Sequence, residues 1–65
     1  MSNITKEQEL KALEIGYAAT LDARRIAEQA INAGEVPKKH VKRLRSELDT
    51  ASMILAAMIL ERQNV

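Results

Sequence analysis

Few side chains in this sequence have the types and spacings that do chemistry, and most of the familiar arrangements are missing. There is no cysteine and a single histidine, His40. Thiolate nucleophiles, thiolate metal ligands and disulfides are therefore excluded. One histidine also cannot build a histidine-based zinc site within one chain. His40 stands between Lys39 and Val41 with no nearby Ser or Asp, so no nucleophilic triad forms around it. It reads as a surface residue of a basic segment. Glu14 and Asp22 are too far apart on one helix to act as paired carboxylates. No glycine-rich phosphate loop, paired-histidine zinc motif or calcium-loop spacing occurs. Tyr17 reads as a large packing residue with its hydroxyl at the rim. Met53 and Met58 read as apolar packing rather than cofactor ligands. The expectation is a chain that is not an enzyme and takes neither cofactor nor metal.

Charge is what remains, and its distribution says more than its total of +1. Residues 1–23 carry two basic and four acidic side chains, a net −2. Residues 24–46 carry seven basic (Arg24, Arg25, Lys38, Lys39, Lys42, Arg43, Arg45) against two acidic, a net +5. Residues 47–65 return to −2. Glu7 and Glu9 near the start of a first helix, with Arg24 and Arg25 late in it, suit the helix dipole. Lys38 and Lys39 at the start of a second helix oppose it, each at a cost of a few tenths of a kcal/mol. Arg43 with Glu47, and Arg45 with Asp49, have the spacing of ion pairs one helical turn apart, in the weaker orientation. Lys38, Lys39, Lys42 and His40 find no such partner. The seven basic residues are the candidate site for an external acidic partner, either a protein surface or a phosphate backbone.

The elements that must position these charges are legible from their punctuation. Gly34 reads as the left-handed residue that ends a helix, and Pro37 as the first residue of the next. Thr5-Lys-Glu-Gln8 has the form of a capping box. The spacing predicts a helix over about 5–33, a turn over 34–36 and a helix over about 37–63. These form one helical-hairpin domain spanning 1–65, with the basic third at the turn. With 46% apolar and 29% charged residues, one aromatic and only three Gly or Pro, the chain reads as an all-α globular module. A β-sandwich or barrel is excluded.

Sixty-five residues bury only about 60% of their unfolded surface, so such a core needs reinforcement. Without disulfides or metal, self-association is the route left. The hydrophobic pattern agrees. Val41, Leu44, Leu48, Ala51, Leu55 and Met58 recur at alternating intervals of three and four, a heptad seam. The first helix offers a large-residue stripe, Leu10, Leu13, Tyr17 and Leu21. It also offers a small-residue stripe, Ala12, Gly16, Ala19, Ala23, Ile26, Ala30 and Ala33, on another side. One partner helix cannot cover both. From Ala51 to Leu60 the second helix is apolar nearly all round, with Met53, Ile54, Ala56, Ala57 and Leu60 pointing away from the seam. A homodimeric four-helix bundle would cover these surfaces. The expected oligomer interface is Ala12, Gly16, Ala19, Ala23, Ile26, Ala30, Met53, Ile54, Ala57 and Leu60.

In layout, a two-helix chain of this size that pairs into a bundle resembles the Rop-type plasmid RNA-binding proteins. No motif aligns with theirs, and no functional residue carries over. Short chains of this type also look like phage or mobile-element accessory proteins, which act by binding one host protein. The first functional expectation is therefore a dimeric interaction module that binds a partner protein and regulates or blocks it. The alternative is a nucleic-acid binder whose basic turn end contacts phosphates. No aromatic residue stands in the basic segment to stack on bases, and no short helix-turn-helix spacing suits the major groove. The N-terminal stretch lacks a secretory pattern, and the longest nearly uncharged run, Thr50 to Leu60, is about half what a bilayer needs. No membrane partner and a cytoplasmic location are expected.

Overall fold

The computed structural model of the chain describes residues 4–64, and it is an antiparallel pair of helices. The first three residues of the stretch read above for a secretory pattern lie outside the described residues. Helix α1 runs Lys6–Asn32 and α2 runs Lys38–Gln63. The capping box forms as expected. The Thr5 hydroxyl accepts from the Gln8 N–H at 3.1 Å, and the Gln8 side-chain oxygen accepts from the Thr5 N–H at 3.0 Å. Two N–H groups without an intrahelical partner are thus satisfied at once.

At the other end of α1, Gly34 adopts φ 76. Its N–H bonds the Ile31 carbonyl and the Glu35 N–H bonds the Ala30 carbonyl, both at 3.0 Å. This crossed pair ties off the last turn and requires a left-handed residue at its centre. Pro37 departs from expectation by one position. It is the N-cap of α2, with φ −56 and ψ 138, rather than its first helical residue. Proline loses nothing there, because the N-cap N–H has no intrahelical acceptor in either case. No side chain caps α2, and its first turn contains no acidic residue.

The predicted seam of α2 is the face turned toward α1. Val41, Leu44, Leu48, Ala51, Leu55 and Met58 are all half-buried, and Arg62 continues the line. The contact face of α1 differs from either predicted stripe. It runs between them, taking Leu10, Leu13 and Tyr17 from the large stripe and Gly16, Ala23 and Ala30 from the small one. Thr20, Ala27 and Ile31 complete it. Leu21, expected to face inward, is 41% exposed. Ala12, Ala19, Ile26 and Ala33 are exposed as well. The reason is geometric. A stripe about 100° wide centred between two flanking sets buries part of each and leaves the outer part of each in water.

One partner helix covers little. Among the described residues no hydrophobic side chain is buried, and Ser52 alone falls in that class, at 4% exposure. The chain keeps 5382 Å² of accessible surface, against about 4,100 Å² for a typical folded monomer of its mass. It measures 44 × 20 × 18 Å with a radius of gyration of 14.9 Å, where a compact 65-residue domain would have about 11 Å. No described helix is long and apolar enough to cross a membrane.

The two glycines predict opposite outcomes. A methyl group on Gly16 would sit 3.6 Å from Leu55 Cδ2, an ordinary packing distance, and helix interiors favour Ala over Gly. Gly16→Ala should therefore raise stability by about 0.5–1 kcal/mol. At Gly34 the left-handed φ penalises any Cβ, so Gly34→Ala should lower stability by about 1 kcal/mol. Urea unfolding followed by circular dichroism reads both, and equal signs would contradict the packing described here.

Candidate functional site

The hairpin brings the seven basic residues of the middle third toward one end, but it divides them by chemistry. The arginines are engaged. Arg45 crosses to α1 and grips Glu28 with two bonds, Nε to Oε2 at 2.7 Å and Nη2 to Oε1 at 2.9 Å. Arg24 lies 3.5 Å from Asp49 of α2 and donates to the Ser52 hydroxyl at 3.3 Å. Arg25 pairs with Asp22 at 2.5 Å and Arg43 with Glu47 at 3.8 Å, each within its own helix.

The expected Arg45–Asp49 pair is thus replaced. The planar guanidinium fork matches a carboxylate across the hairpin in two-point geometry, which a neighbour one turn further along α2, in the weaker orientation, does not offer. Asp49 goes to Arg24 instead. Near the termini, Arg62 pairs with Glu9, a third cross-hairpin pair that the seam spacing alone did not reveal.

Lys38, Lys39 and Lys42 have no ion-pair partner among the described residues, and all three are exposed, as is His40. They occupy the first turns of α2, beside the turn, on an end that has neither a side-chain cap nor an acid. Of the expected acidic-partner site, these three lysines are the part whose charge is uncommitted.

The ion pairs also shift proton affinities. The hydrogen bonds from Arg45 hold the Glu28 carboxyl below its usual range, against the opposing pull of desolvation, and the charges of Arg45 and Arg24 add to the lowering. Arg45 is held above its own usual value by the same partner. Exposed pairs of this kind add little to stability. What they supply is register: Arg24–Asp49 and Glu28–Arg45 step four residues along each helix in opposite directions. These residues also line a shallow groove with Leu21, Arg25 and Leu48. Among the described residues, no three His, Asp or Glu side chains lie together as a metal site would need.

The expected oligomer residues separate into three positions. Gly16, Ala23 and Ala30 turn toward α2, and Gly16 is within packing reach of Leu55 of the same chain. At about 100° per residue, Ala12, Ala19 and Ile26 share one flank of α1, next to Ile54 on the same side of α2. Ile26 is 52% and Ile54 55% exposed. Met53, Ala57 and Leu60 lie on the back of α2, away from α1. Met53, read also as a packing residue, is 64% exposed, whereas Met58 is half-buried. Sequence reasoning missed Ile15, which is 62% exposed on the flank of Ala12 and Ala19. Its intervals of three from Ala12 and four from Ala19 were the available signal.

Glu28 yields a pH prediction. Its carboxyl is lowered in the folded state, so its contribution to stability is present at neutral pH. That contribution fades as pH falls through the ordinary glutamate range toward the folded-state value. An NMR titration should place the Glu28 midpoint below the ordinary glutamate value. In Arg45→Gln it should rise toward that ordinary value, and an unmoved midpoint would show that Arg45 is not its cause.

No protein-family model matches this chain, and no curated protein or solved structure is similar to it.

Proposed function

We propose that this chain is a non-enzymatic interaction module. Two copies associate into a four-helix bundle, and the bundle binds a partner protein and regulates or blocks it, as small phage and mobile-element accessory proteins do. The observation that carries this reading is the incomplete core. No described hydrophobic side chain is buried, while Ile15, Ile26, Met53, Ile54 and Leu60 each stay more than half exposed. Exposed apolar surface on this scale marks an association site. Lys38, Lys39 and Lys42 supply the partner site, because their charges are unspent within the chain and stand against the helix dipole. An acidic protein surface relieves both conditions.

A second reading keeps the same lysines and changes the partner to nucleic acid. The specific observation in its favour is again their lack of carboxylate partners. Of the seven basic residues at this end, the three lysines are those without an ion pair, so three cations per chain are counted there for phosphates.

Two measurements test these readings. Sedimentation equilibrium at micromolar concentration should give twice the chain mass of 7.2 kDa; a folded species at the single-chain mass rejects the module as described. Affinity capture with the wild type and with the Lys38→Glu, Lys39→Glu, Lys42→Glu triple variant should then differ by one specific protein. The variant should fold as well as the wild type, since acids suit a helix N-terminus. If nucleic acid is the partner instead, log affinity for duplex DNA should fall with log salt at a slope of about −3 per chain engaged. No binding at low salt removes that reading.

A further inference from the structure

We infer that this hairpin is the conformation each chain takes inside the assembly and not one that it holds alone: folding and association with a second copy are a single step. Chain concentration then gates the partner site, because Lys38, Lys39 and Lys42 are set on a formed helix only in the assembled state. The inference rests on the self-association proposed above. It goes beyond that reading by denying the chain a stable folded monomer.

Inside one hairpin, each source of stability falls short. The chain keeps 5382 Å² of accessible surface, so it hides only about half of what its unfolded form exposes, where a domain of this length hides about 60%. No described hydrophobic side chain is buried. Three ion pairs cross the hairpin, Arg24–Asp49, Arg45–Glu28 and Arg62–Glu9, and their side chains remain between 33% and 56% exposed. Pairs this open to water set register and add little stability. There is no cysteine, and no metal-ligating cluster stands among the described residues. Small domains with thin cores depend on such staples or on oligomerisation, and only the last is left.

Local signals do not make up the difference, least of all in α2. Helix α1 has its capping box and Glu7 and Glu9 in the first turn. Helix α2 begins with no side-chain cap and no acid, and Lys38 and Lys39 stand against its dipole. Its β-branched Val41, Thr50 and Ile54 lower its helix propensity further. A helix of this kind takes its stability from the face that it packs, and one neighbour half-covers that face. The three lysines lie at the end of the chain's helices with the least support of its own.

A second copy is the occupant that the uncovered area fits. The excess over a typical folded monomer is about 1,300 Å². Two copies together therefore hold about 2,500 Å² to bury, within the range of obligate homodimers. Such dimers have no stable folded monomer, and their stability is inseparable from chain concentration.

The test compares helix content with mass. The wild-type chain is carried through urea at several chain concentrations, with circular dichroism reading helix and sedimentation reading mass. Loss of helix and the fall from twice 7.2 kDa to 7.2 kDa should coincide. Both midpoints should move to higher urea as chain concentration rises. Without urea, the thermal midpoint should rise by about 5 °C for each tenfold increase in concentration, given the unfolding enthalpy of two chains. The NMR shifts of Lys39 and Lys42 should lose their helical values in the same urea transition, and loss at a separate urea concentration overturns the gating. A helical 7.2 kDa species that appears on dissociation overturns the inference and leaves self-association standing. A helical species of that mass in buffer alone removes both. A non-helical single chain in buffer also overturns the inference, since a second copy then does not complete the fold.

Discussion

Each helix of this chain has one neighbour, and that constraint governs the rest of the structure. A helix in contact with a single partner buries one stripe of its surface, whatever the composition of the remainder. Here the stripe is well chosen on α2, where the heptad seam from Val41 to Met58 faces inward. Yet each member of that seam is only half-covered, because no third or fourth helix closes over it. A leucine that is fully buried contributes about 1.5–3 kcal/mol, and half-burial gives a fraction of that. Ser52 is the most enclosed described side chain. It occupies that place because it is small and because its hydroxyl is satisfied, donating to the Asp49 carbonyl at 2.8 Å and accepting from Arg24.

With so little core, alignment of the two helices rests on polar geometry at the seam's edge. Arg45 with Glu28, Arg24 with Asp49, and Arg62 with Glu9 connect the hairpin near its turn, its middle and its termini. At Arg45 the planar fork engages both oxygens of Glu28 with little loss of freedom for each bond. Lysine has no such fork, and Lys38, Lys39 and Lys42 stay in water at the turn end. The basic third of the sequence thus divides into arginines that organise the hairpin and lysines that remain available to something outside it.

Much of this was legible in the residues. Thr5 and Gln8 announced the start of α1, Gly34 its end, and the intervals of three and four from Val41 to Met58 the inward face of α2. These features are local, set by bonds and spacings within one turn or one helix, so a linear reading recovers them. The contact face of α1 was less legible because two stripes competed for it. Small residues such as Ala12, Ala19 and Ala23 serve equally as helix formers and as packing surfaces, so their spacing does not say which of them lies inward. Ile15 escaped notice because it belongs to neither stripe as they were drawn.

The sequence by itself determined that the chain is all-helical, where the turn falls and which face of α2 is apolar, because capping, backbone strain and periodicity act over a few neighbouring residues. Only the tertiary structure decided that Arg45 takes Glu28 rather than Asp49, that Asp49 goes to Arg24, and that Leu21 stays in water while Gly16 meets Leu55. Each of those outcomes depends on the rotation and offset of one helix against the other. That offset is fixed by the fit of whole surfaces across the hairpin, which no interval along the chain encodes.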